Sequence, residues 1–224
     1  IAAPAFLLMK VAHADIAAAS AIVFLILGNG GFDLDGLADT MDALAVKSTG
    51  EAERDRANRL TVMKDSATGA MGVIALIMTI LLKFVLIQRL LSDFQLLDVL
   101  SILFLMPAFS KWITVPAMYH GTSARKDGLG KIFIQRTGLA SVVISTVILV
   151  LLSLMVSSLT LSSFVYGTEF CAASVIAFYL LGLLAVKFLT KRFGGLTGDH
   201  FGAMTEISEI LFLLAAYIWF QFIT

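Results

Sequence analysis

The chain has 224 residues, of which 59% are hydrophobic and 14% charged. Soluble domains carry about 25% charged residues and about 45–50% apolar ones even with glycine counted, so a single water-soluble core is excluded. Sixteen basic residues balance sixteen acidic ones, and a formal net charge of zero leaves no global field to draw the chain to nucleic acid.

Spanning the hydrocarbon of a bilayer takes roughly 20 mostly apolar residues. Lipid offers no partner to an unpaired backbone group, so such runs must be helices. In chain order, Ile1 to Lys10 reads as a partial seventh helix, and residues 14–30 predict a short first span beside it. Runs at about 69–91, 95–118, 137–160, 169–190 and 205–223 predict five more. The expected fold is all-α, one membrane domain over residues 1–224, a polytopic helical bundle of about six transmembrane helices. Cys171, the one cysteine, falls inside an apolar run and has no second thiol for a disulfide or a zinc cluster.

The connections are unequal. Long polar segments run over 31–68, 119–136 and 191–204, whereas those at about 91–95 and 161–168 are short. Counting helices in order puts the three long segments on one side. Basic residues agree: Lys47, Arg54, Arg56, Arg59 and Lys64 lie in the first, Arg125, Lys126, Lys131 and Arg136 in the second, and Lys187, Lys191 and Arg192 at the third. Lysine and arginine near helix ends mark the cytoplasmic face, so the three loops are expected there. Most carboxylates follow the same partition; Asp15, Asp93, Asp98 and Glu169 are the exceptions.

Within the first loop, Asp35, Asp39 and Asp42 fall at i, i+4 and i+7, one face of a helix. Clustered carboxylates repel one another and call for a cation or many hydrogen bonds. Oxygen ligands without His or Cys favour Mg²⁺, Mn²⁺ or Ca²⁺ over zinc. The alternative is a solvated acidic face. Lys64 and Asp65 directly precede the 69–91 span, with Ser66 a candidate cap and Gly69 and Gly72 small enough for a close approach. Arg54, Arg56 and Arg59 have Glu51, Glu53 and Asp55 beside them, or a phosphate, to pair with.

In the third loop, Gly194, Gly195 and Gly198 make a flexible turn before a helix, a place to present N–H groups to an anion. Thr197 adds a hydroxyl, and Asp199 is either a cap or a metal ligand. Glu206 and Glu209 share a face and enter the apolar run, where carboxylates are costly and usually functional. Lys111 interrupts another apolar run, deep enough either to snorkel or to meet a carboxylate or phosphate inside. His13, His120 and His200 read as structural, and no nucleophilic triad is visible.

Taken in order, these motifs resemble the cobalamin synthase family, also called adenosylcobinamide-GDP ribazoletransferase. That family's Gly-Gly segment leads to Asp-Gly-Leu-Ala-Asp-Thr-x-Asp-Gly, matched by Gly30-Gly31 and then Asp35 to Ala43. Its Met-(Lys/Arg)-Asp-Ser-x-x-Gly-x-x-Gly segment is matched by residues 63–72, its Arg-x-x-Gly-Leu-Gly loop by Arg125 to Gly130, and its glycine-rich ending by residues 194–209. The chain departs from the pattern at Asp33 (usually His), Ala43 (usually Gly) and Lys111 (usually Arg).

The resemblance implies a transferase of late cobalamin assembly in a bacterial or archaeal cytoplasmic (inner) membrane. There α-ribazole, or its 5′-phosphate, attacks adenosylcobinamide-GDP and GMP leaves, with Mg²⁺ as cofactor. The lipid bilayer is the other expected partner, and a homo-oligomer is compatible with this reading. Site assignments follow as expectations. Asp35, Asp39, Asp42 and Asp65 hold metal, with Glu206 and Glu209 completing the shell or orienting lysines. Asp39, Asp42, Asp65 and Asp199 are the catalytic candidates; Lys64, Lys111 and Arg125 clamp phosphate, with Gly195, Thr197 and Gly198 around the anion. Two other readings stand beside it. A CDP-alcohol phosphotransferase also clusters aspartates at a helix end, but Asp39 stands where that pattern has Arg. A cation transporter would place its carboxylates near the bilayer midplane.

Overall fold

The computed structural model of the protein describes residues 1–9, 13–160 and 164–223. Lys10, the end of the expected partial helix, and residues 161–163 of one short connection lie outside them. Every named element is helical, with one isolated parallel bridge between Ser123 and Leu196.

The elements in order are α1 (Ala2–Met9), α2 (Ala14–Asn29), α3 (Phe32–Leu44), α4 (Ala52–Val62), α5 (Ala70–Asp93), α6 (Leu96–Trp112), α7 (Thr114–His120), α8 (Leu129–Arg136), α9 (Leu139–Thr160), α10 (Phe164–Phe193) and α11 (Gly198–Ile223). Five are long and apolar enough to cross a membrane: α5, α6 continued by α7, α9, α10 and α11. A sixth crossing arises if α2 and α3 count as one bent span, but α3 turns 88° away from α2. Its four aspartates in thirteen residues keep it out of hydrocarbon. We therefore read α2 as the membrane segment and α3 as a helix lying at the membrane boundary.

Two expected boundaries are corrected. The spans expected at 169–190 and 205–223 extend to Phe164–Phe193 and Gly198–Ile223, so the third polar loop shrinks to a turn at 194–197. The cause is a reciprocal cap. Thr197 Oγ1 accepts from His200 N–H at 3.4 Å, and His200 Nδ1 accepts from Thr197 N–H at 3.0 Å. That capping-box logic starts α11 ahead of the apolar run. The first polar loop likewise folds into α3 and α4, and the second into α8.

The bundle is layered. In α6–α7 and α11, 61% of the apolar stretch is buried, against 22% in α5 and α9. Ile74, Ile77, Val147, Ile148 and Leu151 of those outer helices stand open to the surroundings. In water that exposure would cost about 25 cal/mol per Å²; lipid removes the penalty. Phe212 of α11 packs at 4.9 Å from Phe109 of α6 and 5.3 Å from Phe170 of α10, ring centre to ring centre. Buried Ala17, Ala18 and Ala21 give α2 a small-residue face, which suits helix pairs whose association in lipid rests on packing alone.

The polar elements converge at one end of this bundle. Buried Arg59 of α4 donates to Arg192 O at the end of α10, at 3.0 Å. Asp55 holds the loop before α4 by accepting from Thr49 N–H and Oγ1, each at 2.7 Å, and from the Ser48 hydroxyl. Those bonds hold its carboxyl down at about 2. The 121–125 segment is stitched to the 194–197 turn by Ala124 N–H to Leu196 O and Leu196 N–H to Thr122 O.

Candidate active site

The site begins with two glycines. Gly30 (φ 66°) and Gly31 (φ 74°) both adopt the left-handed region, and their N–H groups return to Leu27 O and Ile26 O. This is a Schellman-type ending that glycine alone accommodates without strain. The corner launches α3 across the start of α11. Two more glycines set the approach. A Cβ on Gly36 would stand 2.6 Å from Asp199 O, and one on Gly202 would stand 3.0 Å from Asp33 Cα. Backbone touches backbone, and the α3 aspartates arrive beside Asp199.

What results is a concentration of negative charge. Burial pushes the Asp39 carboxyl up to about 6, and the carboxylates of Asp35, Asp199 and Asp42 push in the same direction. The Arg125 guanidinium opposes them and pairs with Asp199 Oδ2 at 3.2 Å. One arginine against four carboxylates leaves the cluster anionic. Asp35 is exposed, and Asp39 and Asp199 are half-buried, so the charge is reachable.

The other sequence candidates divide clearly. Asp42 accepts from Gly69 N–H at 2.6 Å and Gly72 N–H at 2.7 Å, which makes it, rather than Ser66, the cap of α5. Asp65 is exposed and accepts from Ala67 N–H at 3.1 Å; it is not among the charges acting on Asp39. Lys111 Nζ meets Asp33 Oδ2 at 2.5 Å, and Asn29 Nδ2 donates to the same oxygen at 3.0 Å. Two of the three departures from the family pattern are thus each other's partners. Gly195 is pressed against the backbone of 122–124, so it does not offer an open anion cradle. Thr197 caps α11, which was one of the two roles the sequence had left open for Asp199. Gly198 has open space around it and borders the cavities described below.

Glu206 and Glu209 belong to a different group. Both are 2% exposed or less, as is Lys83 of α5. Lys83 Nζ lies 2.6 Å from Glu206 Oε2 and is also bonded to Glu209 Oε2. Sequence reasoning missed Lys83. Its signal was available: a lysine in the middle of a 24-residue apolar helix needs a buried counter-charge, and the two glutamates on α11 needed a cation.

Two cavities border the acidic cluster, and a third reaches it only through Arg125. One of about 420 Å³ lies between α3, α6–α7, α8 and α11, bordered by Asp35, Asp199, Phe32, Phe133, Leu129 and Met118. A second, about 550 Å³, is bordered by Lys64, Arg125, Lys126, Thr61 and Leu60. A smaller one, about 210 Å³, joins them along Arg125, Gly198 and Asp199. Among the described residues, no three acidic, imidazole or thiol side chains gather closely enough to cage a metal by themselves. That donor set fits Mg²⁺, which keeps several waters and takes one or two carboxylates plus substrate phosphates. It does not suit a metal needing a full protein cage.

Comparison with known proteins gives the same direction. The profile of the family described as Cobalamin-5-phosphate synthase matches residues 1–217. The chain is 40% identical to an adenosylcobinamide-GDP ribazoletransferase of Thermodesulfovibrio yellowstonii over 195 residues, 86% of this chain and 70% of that one. It is 32% identical to the protein of that name from Escherichia coli K12 over 202 residues, 90% and 75% of the two chains. To that of Fusobacterium nucleatum it is 29% identical over 221 residues, 93% and 77%. No solved structure matches.

Proposed function

The chain belongs to the cobalamin-5-phosphate synthase family, and from that premise we propose its reaction and its site. It joins adenosylcobinamide-GDP to α-ribazole, or to α-ribazole 5′-phosphate, and gives adenosylcobalamin, or its 5′-phosphate, plus GMP. The site faces the cytoplasm, where the lysines and arginines of the three polar segments gather.

The bond changes are those of a phosphoryl transfer. A ribose hydroxyl oxygen of the acceptor forms a bond to the phosphorus attached to cobinamide. The bond from that phosphorus to the oxygen bridging it to GMP breaks, and GMP leaves as a phosphate anion. The hydroxyl proton passes to one of the carboxylates of this cluster. One or two of Asp35, Asp39 and Asp199 would hold Mg²⁺; when bound, the ion would neutralise the diphosphate oxygens as charge shifts to the leaving group. Arg125 orients Asp199 and presents a second cation to the phosphates. Asp42 acts one step back, by fixing the start of α5 against α3.

The observation that carries this reading is the cluster of Asp35, Asp39 and Asp199, brought together by Gly36 and Gly202 and left without enough positive charge of its own. The test is GMP release by the full chain in detergent, supplied with adenosylcobinamide-GDP, α-ribazole and Mg²⁺. Release that EDTA abolishes and Mg²⁺ restores, with a matching amount of cobalamin product, is expected. Release indifferent to EDTA would refute the metal role, and no release from folded protein would refute the reaction.

A further inference from the structure

The two larger cavities differ in chemistry, and that difference bears on which reactant goes where. The cavity between α3 and α8 presents Phe32, Phe133, Leu129 and Met118, and Phe133, Leu129 and Phe32 are 52%, 71% and 80% exposed. Such apolar side chains standing open around a concave space suit a flat aromatic ligand, which gains by stacking and by removal of that surface from water. Asp35 and Asp199 line the same cavity, together with the paired Asp33 and Lys111, so a ligand seated there also meets the acidic cluster.

The cavity beside α4 is the opposite. Lys64, Lys126 and Arg125 face it, and among the described residues no aromatic side chain borders it and Asp127 is its one acid. Three cations around an open cleft recognise a phosphate-bearing ligand. Arg125 is shared by this cavity and the small one, and its partner Asp199 is shared by the small one and the apolar one. The ion pair therefore stands between an aromatic compartment and a cationic one.

Resting on the reaction proposed above, we propose that the two reactants are divided across the Arg125–Asp199 pair. The aromatic base of the incoming nucleoside occupies the Phe32–Phe133 cavity, and the departing guanylate occupies the Lys64–Lys126 cavity. An in-line transfer needs attacking and leaving oxygens on opposite sides of the phosphorus, and one cavity at Asp199 with another at Arg125 offers two separate seats for the two reactants. The bonds made and broken are those already given.

The test is steady-state kinetics of the full chain in detergent, with KM for α-ribazole and the inhibition constant for GMP measured on each variant. Phe133→Ala raises the KM for α-ribazole about tenfold, as expected for loss of a base-stacking ring, and leaves GMP inhibition within twofold. Lys126→Ala does the converse, weakening GMP about three- to tenfold, the scale of one charge-assisted phosphate contact. Leu129→Ala and Lys64→Gln probe the same two walls if either first variant fails to fold. A reversed pattern, or either variant moving both constants together, overturns the partition. Wild-type protein that releases no GMP overturns the reaction itself, so the two failures are distinguishable.

Discussion

Helix α11 carries two acidic stations on one face, Asp199 at its first turn and Glu206 with Glu209 two turns deeper. They meet opposite fates. The deep pair is closed, because Lys83 of α5 reaches both glutamates and all three side chains are almost wholly buried. The shallow station is open, because Asp199 joins Asp35 and Asp39 with only Arg125 to offset them. Isolated charge inside a membrane is too costly to leave unpaired, so the protein supplies its own counter-ion there. At the water boundary an uncompensated cluster is tolerable, and it remains available to a cation and a diphosphate. The difference separates an ion group that is paired internally from one that is under-compensated, although both read as carboxylates at helical spacing in the sequence.

The strongest way to break this comparison is Lys83→Met. Removing one partner of a buried ion group costs about 3–5 kcal/mol, so the unfolding midpoint in a mixed-detergent titration should fall steeply. Adding Glu206→Gln and Glu209→Gln should recover most of the loss. If Lys83→Met left stability unchanged and altered Mg²⁺ dependence instead, the deep station would belong to the metal site after all.

Asp39→Asn should have the converse signature. Turnover should drop by about 100-fold or more, the scale of losing a group that orients charge in a transition state. Metal-free stability should hold or rise, since a repelled carboxylate has been neutralised. Elution as a single species in detergent and an undiminished thermal midpoint would check the second half.

A pH series sharpens the same contrast. The Asp39 carboxyl stands at about 6 when folded, above its ordinary 3.8, so between those values the folded chain holds a proton that the unfolded chain has released. Its contribution to stability is therefore lost as pH rises through about 6. Metal-free wild type should lose thermal stability on this account across that window, and Asp39→Asn should not. Mg²⁺ should raise the midpoint above pH 6 and have little effect well below it, where protons compete for the carboxylate. A Mg²⁺ effect independent of pH would remove Asp39 from the ion's ligands.

The smallest effect expected is at the cap. Thr197→Val removes the hydroxyl that accepts from His200 N–H and should cost about 1 kcal/mol. Activity per folded molecule should fall further than that, because the same residue positions the first turn on which Asp199 sits.

Much of this protein was legible in its residues alone. Apolar runs of membrane length left the chain no alternative to helices, and the i, i+4, i+7 spacing placed Asp35, Asp39 and Asp42 on one face. These are local properties, decided by hydropathy and helical period. What tertiary structure decided was the partner of each charge. Asp42 turned to the N–H groups of Gly69 and Gly72, Asp33 turned to Lys111, and Glu206 turned to a lysine 123 residues earlier in the chain. Helical period says which carboxylates share a face, but an ion pair forms only with what another helix brings to that face; for α3 and α11 that approach rests on Gly36 and Gly202, small enough to let the two backbones touch.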